Sequence, residues 1–295
     1  MIDHKPLVSI IINCFNGEKY LRKCLESVIN QKYQNWEIIF WDNLSTDNSE
    51  KIVQSFNDKR IKYFKGKEFT TLYSARNLAI KKISGNFICF LDVDDWWLPE
   101  KIYQQVNFFK ENKNIEILYS NFFNYYEAKK LKRIFSKEIL PSGKITQELI
   151  NHYKIGILTV MVKSSILLES SFNENYEIIS DFDFFTNLSL KKNISAIQTP
   201  LAYYRIHEQN LSKKKLNQQI QEMEDWYFIN KSNFLGYSLK GIELSLQVLK
   251  IKKYLFSGEK IKVIREILKK PIGLKKFKFL LFIVLSKKKI IDILG

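Results

Sequence analysis

The 295-residue sequence predicts an α/β fold, a mostly parallel sheet flanked by helices, with a helical C-terminal extension. Three observations predict it. Continuous apolar runs of strand length recur along the first third of the chain. Between them, apolar residues return at helical spacing. The two patterns alternate, as parallel strands joined by crossover helices require.

LVSIIIN (7–13) is apolar throughout and too short for a typical helix, as expected of a strand buried on both faces. After a turn at Asn16 and Gly17, residues Leu21, Leu25, Val28 and Ile29 make one helical stripe. WEIIFWD (36–42) reads as a second strand, Ser45 or Thr46 as the cap of a helix reaching Phe56, and IKYFK (61–65) as a third strand. A helix over 73–83, stopped by Gly85 and Asn86, leads into FICFLD (87–92), another buried strand. Beyond Pro99 a helix runs to Asn112, followed by a strand at 115–119 and an irregular aromatic stretch at 122–126. Later elements are a helix at 146–153, a strand at 158–162 and a helix beginning by Asp181. Residues 1–212 are expected to form one domain, with halves at about 6–110 and 111–212. Residues 213–295 read as basic helical segments broken near Gly236, Gly258 and Pro271.

The formal charge of +16 is uneven: residues 213–295 carry +12 of it. Such a balance raises nucleic acid as a partner, but no RNA-reading aromatic motif accompanies it, so none is expected. The tail KKFKFLLFIVLSKKKIIDIL (275–294) holds an apolar run between lysines, shorter than the roughly 20 residues a membrane span takes. It is expected to lie on an anionic membrane surface, the alternative being a terminal helix packed on the protein. Cys14, Cys24 and Cys89 are widely spaced in apolar or helical contexts, which reads as buried thiols rather than a disulfide or zinc framework. The start MIDHKP runs into a strand without a secretory pattern, so a cytoplasmic location, peripheral on that face of the membrane, is expected.

Open parallel sheets bind ligands outside the carboxyl ends of their strands. There the sequence places Asn13, Phe15 and Asn16, then Asp42 and Asn43, then Asp92, Asp94 and Asp95. Three carboxylates in four positions repel unless compensated. Either Mg²⁺ or Mn²⁺, which favour oxygen ligands and phosphates, or the start of a following helix accounts for them. Arg76 suits a phosphate or a solvated helix face, and Asn43 suits ligand contact or a turn. Asp181 suits either a helix cap or proton abstraction.

The stretches VSIIINCFNGEKYLRKCLESVINQKYQNWEIIFWDNLSTDNS, SARNLAI and GNFICFLDVDDWWLPEKI resemble the nucleotide-binding half of bacterial family 2 glycosyltransferases, which have the GT-A fold. ISDFDFF and PLAYYRIHEQNLS resemble that family's acceptor-side and closing-loop motifs. The resemblance implies that Asn13, Phe15, Asn16, Asp42, Asn43, Arg76 and Asp92 surround the donor nucleotide. It makes Asp92 and Asp94 a DxD motif and implies a metal, Mn²⁺ or Mg²⁺, held by Asp94, Asp92 and His207. It makes Asp181 the catalytic base of an inverting transfer; Asp95 suits an orienting role and Asp183 a lesser one toward base or acceptor, while Trp97 suits either the core or rim or an acceptor wall. Two departures stand out: Asn43 and Ser180 occupy positions where the family usually has aspartate and glutamate.

The expected activity is metal-dependent transfer of a sugar from a nucleotide diphosphate donor to a glycan or lipid-linked glycan hydroxyl in surface-polysaccharide synthesis. UDP is the first expectation for the nucleotide, ahead of dTDP and GDP. A sugar-nucleotide binding protein without turnover and a basic nucleic-acid binder are the alternatives. A dinucleotide-dependent dehydrogenase is disfavoured, because NCFNGEKY after the first strand is no glycine-rich phosphate loop.

Overall fold

The computed structural model describes residues 5–269. The break anticipated near Pro271 and the apolar tail at 275–294 lie outside the described residues. Contacts divide the chain into two compact units. The first comprises the residues up to Ile145 together with Lys154–His207; the second comprises Thr146–Tyr153 with the described residues from Glu208 onward.

In the first unit the strands are β1 (Val8–Cys14), β2 (Trp36–Asp42), β3 (Ile61–Lys65), β4 (Phe87–Phe90), β5 (Trp96–Trp97), β6 (Ile117–Tyr126), β7 (Leu131–Ile134), β8 (Met161–Lys163) and β9 (Ile194–Ile206). They form one sheet in the order β3-β2-β1-β4-β8-β6-β9-β5, with β7 paired to β6. Following the pairings from β1, the strands β1–β4, β6 and β9 run one way, and β5, β7 and β8 run the other. The carboxyl ends of β1, β2, β4, β6 and β9 therefore share one edge of the sheet.

Both β1 and β2 are buried along their whole length, which explains apolar runs without alternation. Helix α1 (Glu18–Ile29) lays Leu21, Cys24, Leu25 and Val28 into the core on the face that carries Ile10, Ile12, Ile38 and Phe40. Helix α2 (Ser49–Ser55) follows β2, and α3 (Leu72–Ile80) packs on β1 and β2. Thr71 caps α3 by accepting from the Ser74 amide at 3.3 Å. Helix α4 (Lys101–Glu111) buries Ile102, Val106 and Phe109 in the same core.

The aromatic stretch at 122–126, expected to be irregular, is the second half of β6. Its pairing with β9 shifts register on both sides of Asn121. Such bulges break the two-residue alternation that would have marked a strand. A close backbone approach fixes Gly85: a Cβ there would lie 2.7 Å from the Leu7 carbonyl oxygen and from the Ser9 amide. Gly85→Ala is expected to cost about 1–3 kcal/mol through overpacking. Denaturant unfolding checks this, and an unchanged midpoint would contradict it.

Two further helices, α6 (Ser164–Glu169) and α7 (Ser180–Ser189), complete the first unit, while α5 (Thr146–Asn151) belongs to the second. The rest of the second unit is α8 (Leu211–Lys214), α9 (Leu216–Asn230), α10 (Lys240–Ser257) and α11 (Lys260–Lys269). Ile251, Leu255, Val263 and Ile267 bury the α10–α11 seam. The expected breaks at Gly236 and Gly258 both carry positive φ, and Gly258 closes α10 in the left-handed conformation. No helix among the described residues is long and apolar enough to cross a membrane.

Candidate active site

At the shared edge, Asn13, the penultimate residue of β1, lies beside Trp41 of β2. Both side chains are buried, and the Asn13 Oδ1 and Nδ2 and the Trp41 Nε1 have no hydrogen-bond partner among the described residues. Buried polar groups are nearly always paired, so an orphaned amide at a strand end marks a place where a ligand can bind.

The loops beside them are built from the residues expected to touch nucleotide. Asn16, at φ 52°, turns its Oδ1 to the Thr46 amide at 2.8 Å. Asp42 is completely buried, with Oδ1 accepting from the Ser45 amide at 2.7 Å and Oδ2 from the Tyr63 hydroxyl at 2.6 Å. Its carboxylate holds the loop and has no exposed surface for nucleotide, which corrects the expectation for Asp42. Asn43 pairs with Thr70. Phe15 is half exposed.

Arg76 projects from α3 into a cage of Tyr73, Phe90 and Phe172, with its Cζ 4.9, 5.5 and 5.8 Å from the ring centroids. Nη2 donates to Asp92 Oδ1 at 2.7 Å, while Nε and Nη1 have no partner among the described residues. Burial works against the charge, yet Asp92, Tyr73 and Asp181 hold its pKa above the usual guanidinium value. A charged fork with unused donors suits phosphate oxygens.

β4 ends at Phe90, and the following turn, with the Asp95 amide on the Asp92 carbonyl at 3.0 Å, presents the three aspartates. Their environments differ. Asp92 faces Arg76 and its pKa is raised, by burial first and by Asp94 as well. Asp94 Oδ2 lies 2.9 Å from His207 Nε2. Asp95 accepts from the Arg205 amide at 2.8 Å and is pushed well above the carboxylate range by burial and by Asp94 and Asp92. Arg205 also donates through Nε to the Asp94 carbonyl at 2.7 Å, pairs with Glu127 at 3.5 Å and covers the Tyr20 ring. Tyr20 in turn packs on His207, with centroids 5.0 Å apart. These contacts fix His207, just beyond β9, against the loop after β4.

Asp181 lies in the first turn of α7 and accepts from the Tyr73 hydroxyl at 3.1 Å. Tyr73 and Arg76 are three apart on α3, so they share a face and link Asp181 to Asp92. Burial raises the Asp181 pKa; the Phe182 amide, Arg76 and Tyr73 pull it down in part, and Asp92 adds to the rise. Ser180 donates instead to the Asn173 carbonyl at 2.8 Å.

Of the two readings of Trp97 the structure takes the core one, and it sets Asp183 apart from Asp181. Trp97 is a core residue: it is 2% exposed, donates to the Leu158 carbonyl at 2.8 Å and has Lys101 over its ring at 3.8 Å. No face of it is open to an acceptor. Asp183 is held by Asn187 at 2.7 Å on α7, and residues two apart on a helix do not face each other, so it does not stand beside Asp181. Tyr73 went unnoticed in the sequence, although its position one turn before Arg76 was the available signal.

Among the described residues no group of three or more His, Cys, Asp and Glu side chains could hold a metal ion alone. Asp94 and His207 do suit one whose remaining ligands are phosphate oxygens and water, because Mg²⁺ usually takes only one or two carboxylates from the protein.

Comparison with known proteins places this sheet and its polar carboxyl edge in a glycosyltransferase of the GT-A fold. The family profile "Glycosyl transferase family 2" matches residues 9–176, and the chain belongs to that family. It is 34% identical over 216 residues, 72% of this chain and 82% of the relative, to the UDP-Glc:alpha-D-GlcNAc-diphosphoundecaprenol beta-1,3-glucosyltransferase WfgD of Escherichia coli. WfaP of the same organism, with the same described activity, is 32% identical over 73% of this chain and 84% of its own. Among solved structures, S. aureus TarS 1–349 in complex with UDP is similar in fold, with TM-score 0.57, 16% identity and coverage of 97% of this chain and 90% of that one. The mannosyltransferase PcManGT from Pyrobaculum calidifontis, in complex with GDP-Man and Mn2+, gives TM-score 0.60 at 11% identity, over 95% of this chain and 79% of that one.

Proposed function

We propose that this glycosyltransferase inverts the anomeric centre, moving a sugar from a UDP-linked donor to a hydroxyl of a lipid-linked glycan used for cell-surface polysaccharide. The observation that carries the reading is the run of contacts from Asp181 through Tyr73 to Arg76 and Asp92, which sets a buried carboxylate near an arginine with unused donors. The names of the Escherichia coli relatives, which specify UDP-Glc and a diphosphoundecaprenol-linked acceptor, support the donor and acceptor classes.

Asp181 takes the proton of the acceptor hydroxyl as that oxygen attacks the anomeric carbon, and the bond to the nucleotide diphosphate breaks on the opposite face. Arg76 receives the charge that develops on the departing diphosphate. Asp94 and His207 would hold Mg²⁺ or Mn²⁺, which supplies further neutralisation of the diphosphate when bound. Asp92 aligns Arg76, and Asp95 anchors the strand that carries His207. Residues 1–212 make up the catalytic domain in this reading, and the basic tail at 275–294 attaches the enzyme peripherally to the membrane that carries its acceptor.

Thermal shift with UDP, dTDP, GDP and their sugar conjugates tests the donor assignment. A UDP-sugar is expected to raise the melting temperature, more so with Mn²⁺, since ligands of the folded state stabilise it. No stabilisation by any sugar nucleotide, together with tight salt-sensitive binding to nucleic acid, would overturn the reading. For attachment, the enzyme is expected to float with anionic vesicles at low salt and to be released at high salt; failure to float at either would contradict it.

A further inference from the structure

Between β3 and α3 the chain passes the carboxyl end of β2 in residues 66–71, and this segment is held at Gly66, Thr70 and Thr71. The Gly66 amide donates to the Asp42 carbonyl at 2.8 Å, and a Cβ at position 66 would stand 3.2 Å from the Glu68 carbonyl oxygen, so the turn is tight. Thr71, at the other end, is the cap of α3.

In the middle stands Asn43, which is buried. Its Nδ2 donates to the Thr70 carbonyl at 2.8 Å, and its Oδ1 accepts from the Thr70 amide at 3.2 Å and from the Thr70 hydroxyl at 3.1 Å. The amide thus grips one residue of the neighbouring loop by both its peptide groups. Only a side chain that donates and accepts can do this; a carboxylate at position 43 would set two oxygens against each other.

Phe69, next to the gripped residue, remains 60% exposed, and its ring meets the half-exposed Phe15 edge to face at 4.8 Å and 63°. Two large aromatic rings thus form an open corner where β1 and β2 end. Phe15 lies two residues beyond Asn13, whose buried amide has no partner among the described residues. A flat ring system with a polar edge matches that chemistry: the rings accept its face, and the amide accepts its edge.

We propose that Asn43 is a positioning residue that tethers the 66–71 segment, so that Phe69 and Phe15 together form the stacking corner for the donor's nucleobase. This rests on the nucleotide-sugar reading given above. Asn43 holds the loop and does not itself read the base, and Phe69 becomes a specificity-determining residue of the donor site.

Calorimetric titration of the full chain with UDP and with inorganic pyrophosphate, paired with hydrogen exchange of the ligand-free 66–71 amides, tests this. Phe69→Ala is expected to weaken UDP binding about tenfold or more and to leave pyrophosphate binding unchanged, with Phe69→Tyr restoring it. Asn43→Asp is expected to speed exchange at 66–71 and to weaken UDP, leaving pyrophosphate unchanged. Unaltered UDP affinity in Phe69→Ala would overturn the corner. Tighter UDP binding by Asn43→Asp, with exchange at 66–71 unchanged, would overturn the tether and make position 43 a base reader. If the wild type binds no nucleotide, the donor-site reading falls and the corner with it; the ligand-free exchange data then still tell whether the tether exists.

Discussion

Asp181→Asn is expected to lower the transfer rate by about 10²–10⁴-fold, the usual contribution of a general base, while donor affinity changes little. The substitution is isosteric and keeps an oxygen that can accept from Tyr73, so loop and helix positions should survive it. It should also raise the melting temperature. Because the folded-state pKa of Asp181 lies above its unfolded value, its stabilising contribution is complete below the unfolded pKa and is lost as pH rises through the folded one. Near neutral pH the ionised carboxylate therefore costs stability, and asparagine removes that cost. Each kcal/mol recovered would appear as about 2–4 °C in a domain of this size. Turnover assays, donor titration and calorimetry on the same preparation separate the effects. Full activity would remove Asp181 from the chemistry, and a lower melting temperature would contradict the electrostatic account.

The same raised pKa moves the acid limb of kcat/KM up from where an unperturbed aspartate would put it, since the base must be ionised to act. Tyr73→Phe deletes a hydrogen bond that favours the ionised form, so the limb should move to still higher pH. A shift the other way would mean that another group sets the profile.

The second large effect is expected at Arg76. Arg76→Ala empties an aromatic cage and leaves Asp92 without its partner. Breaking a fully buried pair costs about 3–5 kcal/mol, and the partial exposure of Asp92 reduces that to about 2–3. Arg76→Lys is the more informative change. It retains a charge in the cage but lacks the planar fork, so the chain should fold while kcat falls about 10²–10³-fold, as when one transition-state donor is lost. Circular dichroism and turnover together check it. Near-normal kcat in Arg76→Lys would show that the unused guanidinium nitrogens do not serve the diphosphate.

What could be read from the sequence was the part governed by local pattern. The strands β1, β2 and β4 announced themselves as apolar runs because both their faces are covered, and the polar residues that follow them fell on one edge for that reason. β6 did not, since two bulges disturb its alternation. Asp181 carried no local sign of its partner, because Tyr73 lies 108 residues away and only the packed fold brings the two together. The Trp96–Trp97 pair was ambiguous for a simpler reason: successive strand residues point to opposite faces, so one of two identical neighbours enters the core. Likewise Asp42 and Asn43 were correctly placed at a strand end, but nothing in their order revealed that Tyr63 and Thr70 engage them first.

The central claim, that acceptor base and donor diphosphate meet at one edge of the sheet, is tested most directly by a ternary crystal structure with a non-hydrolysable UDP-sugar, Mn²⁺ and an acceptor. The account predicts the diphosphate against Arg76 and the Asp94–His207 pair, with an Asp181 oxygen within about 2.6–3.2 Å of the acceptor hydroxyl. A diphosphate bound away from Arg76, or an acceptor hydroxyl out of reach of Asp181, would contradict it.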